Sequence, residues 1–244
     1  MKIDKKVIIL VMCSSNPDYK KLENNIKETW FNIKNDDVEI IFYSDNEKIE
    51  NKSEYPVLIG NDLILPCDDG FFNLGHKTIK AFDWVNKNYN YDYIYRSNLG
   101  AYVDSNKLIK FIEGKNKTKF YCGIVGKDSY YLGREVTFAS GSGYFLSNDL
   151  VEIVLSNEHL WNHNIVDDVA LGELLSKFSI NVDKSAMRLN YCDNKVFYQI
   201  GDLDVDHIDK SELYHIRLRS DSREIDINRM SNLYEEIITN NENI

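Results

Sequence analysis

Strand-like and helix-like stretches alternate along this chain, and that alternation limits its fold more than any other feature. The apolar run Val7–Met12 is typical of a buried strand, and Leu22, Ile26 and Trp30 then recur at helical spacing. The run Val38–Tyr43 is again typical of a strand. We therefore predict an α/β fold with a mixed, mostly parallel central sheet flanked by helices.

The same alternation continues through the rest of the chain. Further strands are predicted at residues 91–95, 120–125, 144–146 and 215–219. Further helices are predicted at residues 73–86, after the cap Asp104-Ser105, after Ser147-Asn148, after Asp168 and around residues 230–237. Because the chain shows no internal repeat or low-complexity linker, we expect a single domain over residues 1–244.

Charge, apolar length and cysteine spacing argue against several classes of function. A net charge of −10, with no basic stripe along a helix, argues against a nucleic-acid partner. The run Val7–Met12 is too short for a membrane span or a signal peptide, so a soluble cytoplasmic protein is expected. The cysteines are too far apart in sequence to indicate a zinc site or a disulfide framework, and they are Cys13, Cys67, Cys122 and Cys192.

Two adjacent acids, Asp167 and Asp168, stand at the start of a predicted helix. Aspartate is favoured at this position because its carboxylate accepts hydrogen bonds from free N–H groups and is stabilised by the helix dipole. A functional alternative is a carboxylate that removes a proton from an attacking hydroxyl. Both interpretations can hold for two neighbouring acids, since the dipole would keep a catalytic carboxylate ionised.

Ligands of an open α/β sheet bind beyond the carboxyl ends of its strands. The predicted ends carry Ser14 and Ser15, Asp45, and the polar segment 96–98, which makes them candidates for binding. A fourth region, 140–143, contains two glycines. These glycines indicate a β-bulge or tight turn, and they are also compatible with a side-chain-free backbone against which a ligand can lie.

Four motifs, in order, resemble the β-1,3-glycosyltransferase group that includes the Fringe proteins and galactosyltransferases. Residues 26–30 resemble the family's Arg-x-x-x-x-Thr-Trp helix, and residues 69–78 resemble Asp-x-Tyr-x-Asn-Leu-x-x-Lys-Thr. Residues 141–147 resemble Gly-x-Gly-Tyr-x-x-Ser, and residues 167–172 resemble Glu-Asp-Val-x-x-Gly. The resemblance extends over roughly residues 7–178.

The resemblance implies the nucleotide-sugar-binding fold called GT-A and an inverting hexosyl- or pentosyltransferase. It implies a nucleoside diphosphate sugar as donor, expected to be UDP-linked, and a glycan or glycoprotein as acceptor. Within the acidic pair it implies Asp168 as the base, with Asp167 as helix cap or acceptor ligand. A catalytically silent protein that binds sugar nucleotides or glycans with the same fold is the rival interpretation.

This sequence departs from the family at the metal site. The family holds a divalent cation with a run of acids after the central strand, and here Asn98, Leu99 and Gly100 stand in their place. We therefore expect no metal and no other cofactor. The acidic run 202–206 is a tempting substitute, but acids in a polar connection are usually only solvated.

Basic residues are the alternative partners for a diphosphate. In the stretch His215–Arg219, strand alternation places His215, Arg217 and Arg219 on one side. They form either the polar face of a half-buried strand or a cationic wall. Lys77 is either a solvated lysine or, by its match to the family's Lys-Thr, a donor ligand.

The predicted site therefore has a base, a donor side and an acceptor side. The donor side comprises the polar strand ends and the basic residues, namely Ser14, Ser15, Asp45, Lys77, Arg96, Ser97, Asn98, His215 and Arg217. The acceptor side comprises the glycine-containing segment, namely Ser140, Gly141, Ser142 and Gly143.

Overall fold

The computed structural model describes residues 2–46, 53–68, 70, 73–193 and 195–241. Its strands are β1 Ile3–Asp4, β2 Val7–Met12, β3 Val38–Ser44, β4 Val57–Ile59, β5 Asp62–Ile64, β6 Tyr89–Asn90, β7 Tyr93–Asn98, β8 Ala101–Val103, β9 Tyr121–Asp128, β10 Val136–Ser147, β11 Met187–Cys192, β12 Val196–Ile200, β13 Leu203–Val205 and β14 His215–Arg219. Its α-helices are α1 Pro17–Glu28, α2 Leu74–Asn88, α3 Ser105–Ile112, α4 Asn148–Ser156, α5 Asp167–Ser176 and α6 Arg223–Asn241. No described helix is both long and apolar enough to cross a membrane.

A seven-stranded mixed sheet, in the order β4-β5-β3-β2-β7-β10-β9, forms the centre of the fold. Strands β5, β3, β2 and β7 are parallel, whereas β4, β10 and β9 pair antiparallel with their neighbours. Met12 is in register with Tyr43 on one side and with Asn98 on the other. The carboxyl ends of these three strands therefore reach the same edge of the sheet.

Both faces of this sheet are buried, which explains the uninterrupted apolar run of β2. Val7, Ile9 and Val11 belong to one apolar core, while Ile8 and Leu10 belong to a second core on the opposite face. Helix α1 contributes to the first core and helix α2 to the second. Since alternate side chains of a strand point to opposite faces, a strand covered on both sides must be apolar throughout.

A second sheet has five strands, in the order β13-β12-β11-β14-β8. Only β14 of this sheet was predicted from the sequence. Strand β8 follows β7 after a short turn, and β14 pairs antiparallel with β8, with Arg217 opposite Ala101. This connection brings the basic strand to the carboxyl end of β7.

Two strands that carry predicted site residues, β7 and β10, extend beyond their predicted bounds. Strand β7 continues to Asn98, because its ladder with β2 persists through the polar residues. Strand β10 begins at Val136, and its register with β9 shifts between Ala139 and Tyr144. The bulge interpretation of the glycine-containing segment is therefore confirmed.

Candidate functional site

A cavity of about 580 Å³ lies at the carboxyl edge of the large sheet. It brings together ten of the predicted site residues, namely Ser14, Lys77, Arg96, Asn98, Ser140, Gly141, Ser142, Asp167, Asp168 and Arg217. The other predicted residues do not line it, and these are Ser15, Asp45, Ser97, Gly143 and His215. The sequence motifs therefore converge on one site, although five of the predicted residues do not line it.

Asp167, the first residue of α5, is a buried carboxylate whose charge is matched. Its Oδ2 accepts a hydrogen bond from Arg96 Nη2 at 2.7 Å and another from Thr78 Oγ1 at 3.2 Å. Arg96 Nε also donates to the hydroxyl of Tyr43 at 3.3 Å. A charge-assisted bond to a buried guanidinium satisfies this carboxylate within the protein.

Asp168 is held differently, although it is the next residue. Its Oδ2 accepts from the backbone N–H of Gly141 at 2.7 Å, and its Oδ1 accepts from the N–H of Val169 at 2.9 Å. Burial, and next the negative charge of Asp167, raise the pKa of Asp168 from its ordinary 3.8 to about 6. The two neighbouring acids are thus a paired carboxylate and a carboxylate that titrates close to neutrality.

The glycines of the bulge are required by close packing of the protein itself. A Cβ on Gly141 would lie 2.7 Å from Arg96 Nη1 and 2.9 Å from Asp168 Oδ2. Arg96 Nη1 also donates to the Gly141 carbonyl. A Cβ on Gly143 would collide with Tyr95 and His215. The missing side chains therefore make room for the buried arginine and for Asp168, and for the Tyr95–His215 contact.

Lys77 is buried on α2, so the interpretation of a solvated lysine was wrong. Its Nζ donates to the carbonyl of Cys13 at 3.1 Å and to Asp45 Oδ2 at 3.3 Å. These contacts tie α2 to the ends of β2 and β3. Three residues of the motif that contains Lys77, namely 69, 71 and 72, lie outside the described residues.

His215 was expected to be a cation on the donor side, and that expectation was wrong. The side chain is only 2% exposed, and its Nδ1 lies 2.6 Å from the hydroxyl of Tyr95. Burial, and then the positive charges of Arg188 and Arg217, hold the pKa of His215 well below 6.5. Because β14 passes through the interior before it reaches the cavity, its first residue is neutral near pH 7.

Arg217 and Arg219 do reach the cavity, on the same side of β14. Neither side chain makes a hydrogen bond or an ion pair with any residue in the part of the chain that the structure describes. Burial, and then the charge of Arg219, lower the pKa of Arg217 below its ordinary value. Two cations without carboxylate partners on one wall favour the binding of an anion.

Arg188, on β11, was not identified from the sequence. It is 6% exposed, and its Nη1 donates to Ser142 Oγ at 2.6 Å and to Ser140 Oγ at 3.3 Å. Burial, and then the charge of Arg217, lower the pKa of Arg188 to about 9. The only sequence signal was one arginine within an otherwise apolar strand start, which is too common to single out.

The positions where the resemblance places a metal do not offer a cation its ligands. The Oδ1 of Asn98 accepts a hydrogen bond from the N–H of Gly100 at 3.0 Å, and Leu99 is buried in the apolar core. Within residues 2–46, 53–68, 70, 73–193 and 195–241, no group of three or more His, Cys, Asp or Glu side chains could hold a metal ion. Asp202 pairs with Lys184 and Asp204 pairs with Lys195, and all four side chains are exposed, as expected for solvated surface acids.

The chain is similar to one protein family and to solved structures of glycosyltransferases. Residues 22–186 match the model of a family described as Galactosyltransferase. The chain is similar to a glycosyltransferase involved in the glycosylation of the major capsid of PBCV-1, with 14% identity and a TM-score of 0.49 over 93% of this chain and 98% of that chain. It is also similar to the galactosyltransferase LgtC in complex with donor and acceptor sugar analogs, with 9% identity and a TM-score of 0.45 over 94% of this chain and 95% of that chain. No curated protein matches the sequence.

Proposed function

The chain belongs to the galactosyltransferase family, and on that premise we propose that this glycosyltransferase moves a sugar from a UDP-linked donor to a hydroxyl of a glycan or glycoprotein, with inversion and without a metal. Its mixed α/β sheet is the GT-A fold expected for the family. The single observation that carries the proposal is Asp168, a partly buried carboxylate that lines the cavity and has a pKa of about 6. A general base works best when its pKa lies near the working pH.

The acidic pair divides the work between its two members. The charge of Asp167 is neutralised by Arg96, and Thr78 donates a further hydrogen bond to the carboxylate. A proton on this carboxylate would therefore disrupt a buried ion pair. Among the described residues, Asp168 accepts hydrogen bonds from backbone N–H groups and from no cationic side chain. It is therefore the better proton acceptor of the two.

The reaction follows from this assignment as a single displacement. The acceptor oxygen forms a bond to the anomeric carbon while the bond from that carbon to the diphosphate oxygen breaks. The proton of the acceptor hydroxyl passes to Asp168 as the new bond forms. One displacement at the anomeric carbon inverts its configuration.

The leaving diphosphate carries negative charge that cations must meet. Arg217 and Arg219 line the same cavity as Asp168, and the negative charge of Asp168 acts on Arg217. Arginine binds phosphate oxygens through paired hydrogen bonds, so the two side chains can stabilise the departing group without a metal. Arg96 is less suited to this role, because Asp167 already neutralises it.

The acid limb of the pH profile should report Asp168. Because the base must be ionised, we expect kcat/KM to be constant above about pH 6 and to fall about tenfold per unit below it, in line with the raised pKa of Asp168. The measurement is kcat/KM from pH 4.5 to 8.5, with an acceptor that has no group titrating in this range. An acid limb near pH 4 would contradict the assignment. The same acid limb in the residual activity of Asp168→Asn would also contradict it.

Arg217→Ala should weaken UDP binding by roughly 1.5–3 kcal/mol, which is the scale of a charge-assisted hydrogen bond. Calorimetric titration with UDP measures this loss directly. Arg134→Ala is the matched control, since Arg134 pairs with Glu173 and does not line the cavity. Unchanged UDP affinity in Arg217→Ala would show that the diphosphate lies elsewhere.

The function itself is tested with a thermal-shift screen against nucleotide sugars, followed by turnover with each sugar that binds. We expect at least one UDP-sugar to raise the melting temperature and to release UDP, with an inverted product in proton NMR. Binding of a UDP-sugar without turnover to any hydroxyl acceptor would favour the silent sugar-nucleotide-binding protein instead.

A further inference from the structure

The turn between β7 and β8 is the place where strand β14 meets the large sheet. The N–H of Leu218 donates to the carbonyl of Gly100 at 2.7 Å, next to the pairing of Arg217 with Ala101. Leu218 lies between Arg217 and Arg219 in sequence, so its backbone contact fixes the part of β14 that carries both arginines. The position of these cations in the cavity therefore depends on how closely β14 approaches this turn.

Each residue of the turn has a role in that approach. The Oδ1 of Asn98 accepts a hydrogen bond from the N–H of Gly100, and the side chain of Leu99 is buried in the apolar core, with 3% of it exposed. A Cβ on Gly100 would lie 2.9 Å from the carbonyl oxygen of Leu218, which is a backbone atom and can yield only if the strand shifts. Gly100 does not have a positive φ, so the requirement for glycine is one of space.

We propose that Gly100 is a positioning residue for the diphosphate, because its lack of a side chain lets β14 dock against the turn and present Arg217 and Arg219 to the cavity. This proposal rests on the proposed function, in which Arg217 binds the diphosphate. Gly100 lies within the segment that matches the family model, whereas β14 lies beyond it.

The role of Gly100 also bears on the absence of an acid at position 100. An acid at position 100, where the resemblance places one, would add a side chain against the Leu218 carbonyl and push the arginines away. The absence of an acid at position 100 and the placement of the two arginines are then parts of one arrangement. One acid placed in this turn would therefore not create a metal site, since its side chain would displace β14.

The test is a double-mutant cycle on nucleotide affinity, measured by calorimetry with UDP, and with GDP and ADP if UDP does not bind. Gly100→Ala should weaken binding by about fivefold or more, since small displacements of binding groups have large effects. In the Arg217→Ala background, Gly100→Ala should change the logarithm of the dissociation constant by less than half as much, because the arginine that Gly100→Ala displaces is gone. Gly100→Asp should weaken binding at least as much and should not gain affinity from manganese.

Gly114→Ala is the control for general destabilisation, because Gly114 has a positive φ in an exposed turn away from the cavity and should keep wild-type affinity. If Gly100→Ala does not fold, Asn98→Ala removes the acceptor that holds the Gly100 N–H and should give a smaller loss with the same dependence on Arg217. Hydrogen exchange of the Leu218 amide should quicken in either variant.

Wild-type affinity in Gly100→Ala, or a loss that adds fully to that of Arg217→Ala, would overturn the proposal while leaving the proposed function intact. If the wild-type protein binds none of the three nucleoside diphosphates, the proposed function fails, and the positioning role fails with it.

Discussion

Asp168→Asn should lower kcat/KM by about two orders of magnitude or more, because a positioned general base typically contributes that much. The amide keeps the size of the carboxylate but cannot take the acceptor proton. Donor affinity should stay at the wild-type level. Burial raises the pKa of Asp168, so its ionised form disfavours the folded state, and the neutral amide removes this cost near pH 7.5. The amide nitrogen cannot accept the second backbone N–H bond, so the variant should melt close to the wild-type temperature.

Asp167→Asn is the matched comparison, and its expected pattern is the reverse. It leaves Arg96 without its carboxylate partner in a buried position, so its melting temperature should fall while turnover falls less than in Asp168→Asn. Steady-state kinetics and thermal melts of the two variants decide the matter. Normal turnover in Asp168→Asn together with an inactive Asp167→Asn would mean that the base is Asp167.

Arg96→Leu should reduce the free energy of unfolding by about 3–5 kcal/mol, since it leaves Asp167 as a buried charge without a cationic partner. Urea unfolding at pH 7.5 measures the change. Replacing both members, as Arg96→Leu with Asp167→Leu, should restore part of the loss, because a buried pair can be exchanged for apolar residues at little cost.

The control for this measurement is Arg134→Leu. Arg134 and Glu173 form an ion pair in which the arginine side chain is 56% exposed, so its removal should cost about 1 kcal/mol or less. An unfolding free energy of Arg96→Leu that equals that of Arg134→Leu would contradict the view that Asp167 is held as an ionised, buried partner.

Five strands of the large sheet, β2, β3, β7, β9 and β10, were predicted from the sequence, whereas the short strands β4 and β5 at its edge were not. Strand β2 appears in the sequence as an unbroken apolar run and is observed over the predicted residues Val7–Met12. The end of β7 was harder to predict, since Arg96, Ser97 and Asn98 have side chains that are typical of a loop. They remain in the strand because the ladders with β2 and β10 continue past the apolar residues.

Most of the second sheet could not be predicted, because its strands lack a clear pattern. Strands β12 and β13 are short and partly exposed, so neither apolar alternation nor a continuous apolar run marks them. The acidic run 202–206 was interpreted as a connection, although residues 203–205 form an edge strand. Without this sheet, the pairing of β14 with β8 next to the end of β7 could not be inferred.

Within the site, sequence reasoning placed the right segments together and misjudged the environment of single side chains. The alternation in β14 places His215 beside Arg217, but it cannot indicate where the strand leaves the interior. Likewise, a lysine is usually solvated, but Lys77 lies between apolar positions of its helix and is buried, with Asp45 and the Cys13 carbonyl as its hydrogen-bond partners. Burial and partners of polar side chains are tertiary properties, so they require the fold.

The most direct test of a metal-free transferase with Asp168 as its base is UDP release from the preferred UDP-sugar after exhaustive dialysis against EDTA, with and without added manganese. We expect the wild-type enzyme to keep its activity in EDTA and to gain nothing from manganese, and we expect Asp168→Asn to lose activity in both conditions. Activity that chelation abolishes and manganese restores would contradict this account.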